Sequence, residues 1–423
     1  MIQAQPGHTS FVTTRAPAPA RQPKRRRPSL ARALVPTFSL LLHAYVAWRL
    51  LPYLWERPLA FAVLATLLAF SSLTMPLGLL ARRARSQRTG ERIVWISWLA
   101  VGFFSSLFVL TLLRDLSLGL MAITHLIWPA LPLWQDLAPA SSVIVPLAAV
   151  LITALGFVNA RRTPSVVHVQ VPIPSLPEAL SGLTIVQISD IHIGATIKRP
   201  YLDAIVETVN GLAADLVAVT GDLVDGSVAD LARHVAPIAH LSSRHGTFFV
   251  TGNHEYYSGA ESWIAELRRL NVRVLLNEHV VLQHNSEPFI VAGVTDVSGH
   301  HFIASHRSDP RTALRDAPSD AAFRLLLAHQ PRSAAAAADA GFDLQLSGHT
   351  HGGQFLPWNF FVRLQQPFVS GLHRLRGLWV YVSRGTGYWG PPKRFGVPSE
   401  ITCLKLVRPA ACARGAMLVK SKT

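Results

Sequence analysis

The stretch Leu183-Thr184-Ile185-Val186-Gln187-Ile188-Ser189-Asp190-Ile191-His192 joins an apolar, β-branched run to two side chains able to bind a metal. Such a run reads as a buried strand, and the polar residues that end it mark the loop beyond its carboxyl edge. The pattern recurs. After a helical repeat at 199–214, Leu216-Val217-Ala218-Val219-Thr220 leads into Gly221-Asp222-Leu223-Val224-Asp225, which makes a β-α-β unit. A second helical pattern at 227–243 precedes Thr247-Phe248-Phe249-Val250 and then Thr251-Gly252-Asn253-His254-Glu255. A helix at 261–271 is followed by strands at 272–276 and 288–294. Farther on, Arg324-Leu325-Leu326-Leu327-Ala328 runs into His329-Gln330-Pro331, and Phe342-Asp343-Leu344-Gln345-Leu346 into Ser347-Gly348-His349-Thr350-His351-Gly352-Gly353. With an exposed or edge strand at 166–171, these elements predict an α/β domain over 161–408.

Five of these strands end in Asp, Asn or His, often beside Gly. One such residue is ordinarily a turn or helix cap. Five at strand ends point instead to a shared crevice, since ligands of α/β sheets gather at the carboxyl edge. Carboxylate oxygens and imidazoles without thiolate suit Zn, Mn, Fe, Co or Ni. Adjacent glycines let the backbone turn sharply at such a site.

In order, Asp190-x-His192, Gly221-Asp222-x-x-Asp225, Gly252-Asn253-His254-Glu255, His329 and Gly348-His349-x-His351 resemble the motif set of the calcineurin-like metallophosphoesterase superfamily. Ser383-Arg384-Gly385-Thr386-Gly387, Arg394-Phe395-Gly396 and Glu400-Ile401 resemble the end of a bacterial, membrane-associated branch of it. The resemblance covers about 180–408. It implies a four-layer α/β/β/α sandwich and two divalent metal ions of the Mn, Zn, Fe, Ni or Co type. One ion would be held by Asp190, His192, Asp222 and His351, the other by Asp222, Asn253, His329 and His349, with Asp222 bridging. His254 would donate a proton to the leaving oxygen, and Asp225 would orient His254. The implied reaction is hydrolysis of a phosphoester by water without a covalent enzyme intermediate. A phospholipid or lipid-linked envelope phosphoester is the leading substrate class and a small phosphodiester the next. The same site without turnover would make a membrane sensor or scaffold that binds phosphate.

Other residues near these blocks read more plainly. Glu255 reads as a cap, Gly352, Gly353 and Gln354 as loop formers, and His300, His301 and His306 as solvated residues of a 297–310 loop. For Trp358, Phe360, Phe361 and Trp389, core packing is the default reading, with an apolar lip at a bilayer surface as the other.

The chain of 423 residues has a net charge of +16, 50% hydrophobic and 15% charged residues. This balance argues against a single soluble globule and against a disordered chain. Residues 1–160 hold 15 Lys/Arg against 4 Asp/Glu, whereas 161–423 hold 25 against 20. Because the first excess lies beside apolar runs, membrane topology and anionic headgroups explain it better than nucleic acid, which is not expected as a partner. Cys403 and Cys412 cannot build a disulfide framework or a four-thiolate zinc site.

Residues 1–32 read as a basic, disordered tail and 409–423 as a C-terminal tail, while 33–160 form an all-α transmembrane region. Spans are expected at 33–55, 58–81, 93–113 and 137–160, the last three free of charged residues. Arg82, Arg83, Arg85, Arg88 and Arg92 in one loop, and Arg161-Arg162 after the last span, put the C-terminal domain of a multi-pass cell-membrane protein in the cytoplasm. Were 116–135 a fifth span, the domain would lie outside; Pro129 and Pro132 favour an interfacial or re-entrant segment. Oligomeric state leaves no signal.

Overall fold

The computed structural model describes residues 30–78, 81, 84, 86–128 and 134–409. The strands β1 (Ser165–Pro172), β2 (Thr184–Ile188), β3 (Leu216–Val219), β4 (Thr247–Phe249), β5 (Arg273–Val274) and β6 (Glu278–His284) come first in the chain. They are followed by β7 (Glu287–Gly293), β8 (Arg324–Leu327), β9 (Leu344–Ser347), β10 (Gly371–Leu375), β11 (Leu378–Val382) and β12 (Glu400–Val407). Two six-stranded sheets result, in the orders β1-β12-β2-β3-β4-β5 and β10-β11-β9-β8-β7-β6.

Alternation along each strand sorts side chains between layers. Leu216 and Ala218 of β3 meet Leu325, Leu327, Leu344 and Leu346 of the second sheet, while Val217 and Val219 face the opposite way. Against that opposite face pack Leu202, Ile205, Val206 and Val209, which share one side of α5 (Arg199–Gly211). Leu231 and Val235 of α6 (Val228–Val235) and Trp263, Ile264 and Leu267 of α8 (Ala260–Arg269) complete this layer. On the outer face of the second sheet, Leu326 and Ala328 pack with Ala334 and Ala337 of α10 (Ala334–Ala340). The four layers are α/β/β/α, the arrangement the motif resemblance implies. Each fully buried Val or Leu contributes roughly 1.5–3 kcal/mol. Between the sheets, the buried Gln187 amide donates to Thr220 Oγ1 at 2.8 Å and to the Ser347 carbonyl at 2.9 Å, fixing one sheet against the other at the edge where the site lies.

Before this domain lie α1 (Leu30–Leu50), α2 (Pro58–Leu77), α3 (Gln87–Ile127) and α4 (Trp134–Arg161). All four are long and apolar enough to cross a membrane. The stretch expected at 93–113 belongs to a 41-residue helix that runs through Arg114-Asp115, where the sequence suggested a boundary. Those charges do not break the helix because they are partnered inside the bundle. Asp115 accepts from Tyr45 Oη at 2.6 Å and Arg49 Nε at 2.7 Å, and Arg114 donates to Ser141 Oγ and the Ala138 carbonyl. Thus 116–127 continues α3, whereas Pro129 and Pro132 lie outside the described residues. So do the tails at 1–29 and 410–423 and the loop residues Arg82, Arg83 and Arg85.

The helices do not merely precede the domain. Only residues 162–164 separate α4 from β1, and the segment Trp389–Arg394 presses against both α3 and α4. Arg394 N–H donates to the Gly156 carbonyl at 2.8 Å. Lys393, buried, donates its ammonium to the Gly102 carbonyl at 2.9 Å and to Ser106 Oγ, and burial pulls its pKa down to about 8. Gly156 permits this approach, since a Cβ there would lie 2.7 Å from Lys393 Cγ.

Candidate metal centre

Parallel pairing sets the strand ends level. Ile188 pairs with Val219 and Val219 with Phe249 in one sheet, and Leu327 with Leu346 in the other. The loops that follow β2, β3, β4, β8 and β9 therefore leave along one edge and bring their Asp, Asn and His residues together. Among the described residues, three groups have ligand atoms within 4.8 Å of one another: Asp190, His192 and His351; Asp222, His329 and His349; and His192, Asp225 and His254.

Asp222 is central. Its Oδ2 lies 3.2 Å from His329 Nε2, 3.9 Å from His192 Nε2 and 4.0 Å from His254 Nε2. His192 Nε2 and His351 Nε2 approach to 3.0 Å, and His329 Nε2 and His349 Nδ1 to 3.2 Å. Asp190, fully buried, lies 3.5 Å from His351 Nε2. Asn253, at the first position of α7 (Asn253–Ser258), has a buried Oδ1 with no hydrogen-bond partner. An orphaned carbonyl oxygen beside converging imidazole nitrogens fits a cation, which would satisfy all of them.

The backbone here is shaped for the task. Asp190, His192, Asp222, His349 and His351 all have φ between 49° and 70°, a region that L-residues other than Gly rarely occupy. Such conformations cost roughly 1–3 kcal/mol each and gather at functional sites. Two glycines make room for the carboxylates: a Cβ on Gly252 would lie 2.2 Å from Asp222 Oδ1, and one on Gly348 2.2 Å from Asp190 Oδ2. Gly252→Ala is accordingly expected to abolish stoichiometric metal binding, read by elemental analysis of the purified protein, while circular dichroism stays that of the parent.

Electrostatics prepare the imidazoles unequally. Burial, aided by His329, pushes His349 down to about 3, and burial with His192 and Arg394 nearby holds His351 well below the usual range. Both rings are therefore neutral, the state in which a ring nitrogen can bind a metal. Burial opposes charge on His254 too, yet its bond to Asp225 and the Asp222 charge raise it to about 9. Burial likewise works against the Asp222 carboxylate, but His329 holds its pKa well below the usual value.

Asp225 serves two rings. Its Oδ1 takes His254 Nδ1 at 2.6 Å and His192 Nδ1 at 3.0 Å, so both rings turn their Nε2 toward the centre. The structure thus adds a second partner to the one the motif suggested.

Three further residues support the site without having been singled out for it. Glu255 accepts from the N–H groups of Asp222, Leu223 and Gly252, so it caps α7 and also holds the Asp222 turn. The Thr220 carbonyl takes His329 Nδ1 at 2.7 Å, which aims Nε2 at Asp222. Arg394, 1% exposed, donates to the His351 carbonyl and reaches His351 Nδ1 at 3.1 Å. By contrast, His306 bonds Tyr256 Oη and His300 the Val297 carbonyl, and neither they nor His301 belong to the three groups. Trp358, Phe360, Phe361 and Trp389 are 39–69% exposed, so core packing does not account for them.

Comparison with known proteins agrees with this geometry. The sequence profile of the calcineurin-like phosphoesterases matches residues 183–353. A "Transmembrane protein with metallophosphoesterase domain" of Bos taurus is 41% identical over 282 residues, 64% of this chain and 62% of that protein. An "Uncharacterized metallophosphoesterase" of Campylobacter jejuni is 39% identical over 59% of this chain and 64% of its own length. A further one from Aquifex aeolicus is 31% identical, and 85% of its length is covered by 53% of this chain. The match thus spans less than two thirds of the bovine and Campylobacter proteins. The chain belongs to the calcineurin-like phosphoesterase family.

Proposed function

We propose that the protein is a membrane-anchored hydrolase of phosphoesters with a centre for two divalent ions. The observation that carries this reading is the position of Asp222 Oδ2 among His329, His192 and His254, between two separate groups of ligand atoms. Asp190, His192, Asp222 and His351 would hold one ion, and Asp222, Asn253, His329 and His349 the other. Ions bound there would lower the pKa of a water and offset charge growing on the phosphoryl oxygens.

The chain's own groups do the rest. Asp225 fixes the proton on His254 Nδ1 and leaves Nε2 to donate to the departing oxygen. His254 keeps 15% of its side chain exposed, whereas His192, bonded to the same carboxylate, keeps 1% and is enclosed as a ligand. Arg394 steadies the His351 backbone by donating to its carbonyl, and the Thr220 carbonyl accepts His329 Nδ1–H and so aims its Nε2.

Four crossings would return the chain to the side on which α1 begins. The arginines at 82–92 and Arg161-Arg162 would then share that side, and the distribution of positive charge supports a cytoplasmic domain. A substrate at the bilayer surface, either a phospholipid or a lipid-linked phosphoester, suits a domain held against its anchor.

The test uses full-length protein in detergent, stripped by chelation and reloaded separately with Mn, Zn, Fe, Ni, Co or Mg. Phosphomonoesters, phosphodiesters, glycerophospholipids and nucleotide-linked lipids are then offered in turn. Turnover restored by at least one metal is the expected result. Two bound metals with no turnover of any compound would overturn hydrolysis in favour of a phosphate-binding membrane sensor.

A further inference from the structure

A cleft of about 370 Å³ opens between α3 and the candidate metal centre. That volume falls within the roughly 300–1,000 Å³ of small-molecule sites. At its inner end stand His349 and His351; its far wall is Val101 and Ser105 of a membrane helix. The walls between are mainly apolar, built by Phe355, Trp358, Val362, Trp389 and Pro391, with Thr350 and Gln354 as the polar side chains among them.

Two features show what this cleft adjoins. First, Trp358 Nε1 donates to Ser105 Oγ at 2.9 Å, and Trp389 packs 6.1 Å from Trp98. Both contacts fall inside the uncharged stretch 93–113 of α3, so the domain meets the helix along its apolar part as well as at its charged end, where Lys198 pairs with Glu91 at 2.7 Å. Second, the segment that carries Trp358 and Val362 into the cleft leaves Leu356, Phe360, Phe361 and Leu364 43–82% exposed. An apolar rim of this kind, continuous with membrane helices, belongs against acyl chains and not in water.

We infer that the cleft receives the hydrocarbon chain of an amphiphilic phosphoester drawn sideways from the bilayer, with the phosphate presented to the centre at His349 and His351. This inference rests on the phosphoesterase reading and gives its substrate class: a phosphoester carrying an alkyl or acyl chain. Trp389 bears on both parts of the site, because its ring lines the cleft and lies edge-on to His254 at 5.6 Å.

A homologous series decides the matter. Metal-loaded full-length protein in detergent is given p-nitrophenyl n-alkyl phosphate diesters from methyl to octyl, each below its critical micelle concentration. Transfer of a methylene from water to the cleft is worth about fourfold, so kcat/KM is expected to climb by about that factor per carbon until the cleft is full. Val362→Asp, and separately Trp358→Ala, are expected to cut the octyl-to-methyl ratio at least about tenfold at parental metal content. An octyl-to-methyl ratio near one, with the methyl ester turned over, would overturn the cleft and leave phosphoester hydrolysis standing. So would a ratio unchanged in both variants, which would assign the chain dependence to the detergent. Should no diester be hydrolysed, the phosphoesterase reading is judged by the wider substrate panel, and photolabelling with a diazirine-bearing alkyl phosphate judges the cleft alone. Label on 355–364 and 101–105 supports it; label confined to other segments overturns it.

Discussion

Asp222→Ala is expected to remove metal-restored turnover entirely, with a fall in kcat of at least about a thousandfold and fewer than two metals retained per chain. The reason is the position of one carboxylate between both ligand groups, with Oδ2 3.2 Å from His329 and 3.9 Å from His192. Its other oxygen accepts the His254 N–H at 2.9 Å, so the substitution also frees the start of α7. Elemental analysis and turnover should therefore fall together. Full activity with parental metal content would remove Asp222 from the centre.

His254→Ala should separate what Asp222→Ala joins. A loss of about 10²–10⁴ in kcat is expected, the range for a general acid, while metal content stays that of the parent. The His254 ring bonds Asp225 and packs against the rings of Trp389, Tyr257 and His192, and its Nε2 lies 4.0 Å from Asp222 Oδ2. The effect should also depend on the leaving group. Esters of p-nitrophenol, whose anion departs without a proton, should be hurt far less than alkyl esters. Equal loss on both would refute proton donation by this ring.

The residues that the structure brings together at the candidate centre could be read from sequence because each follows a strand that declares itself locally. Val186-Gln187-Ile188 before Asp190, or Leu325-Leu326-Leu327 before His329, carries its own β-branched or aliphatic signal, and level pairing of the strands does the rest. What escaped depends on distant partners. β12 inserts between β1 and β2 by pairing Leu404 with Ile185, and nothing near Leu404 states that choice. The β6–β7 hairpin was missed as a unit, although Asn285 and Ser286 supply the two positive-φ residues that such a turn requires. Charges misled at Arg114-Asp115, which suggested a helix end and proved to be an internal polar cluster. Its partners lie on other helices, where local sequence carries no trace of them, and the same distance hides the near-complete burial of Lys393 and Arg394.

The contact between Trp389–Arg394 and the helices changes what the membrane segment is for. Val101 and Ser105 supply a wall of the cleft, and the Gly156 carbonyl receives the N–H of Arg394, the same residue whose guanidinium steadies His351. An unrelated anchor fused at residue 161 would carry the domain without the Val101 and Ser105 wall and without the Gly156 and Gly102 carbonyls that hold Arg394 and Lys393. The N-terminal helices are thus a structural component of the candidate site, and a fragment lacking them is a different molecule rather than a smaller version of this one.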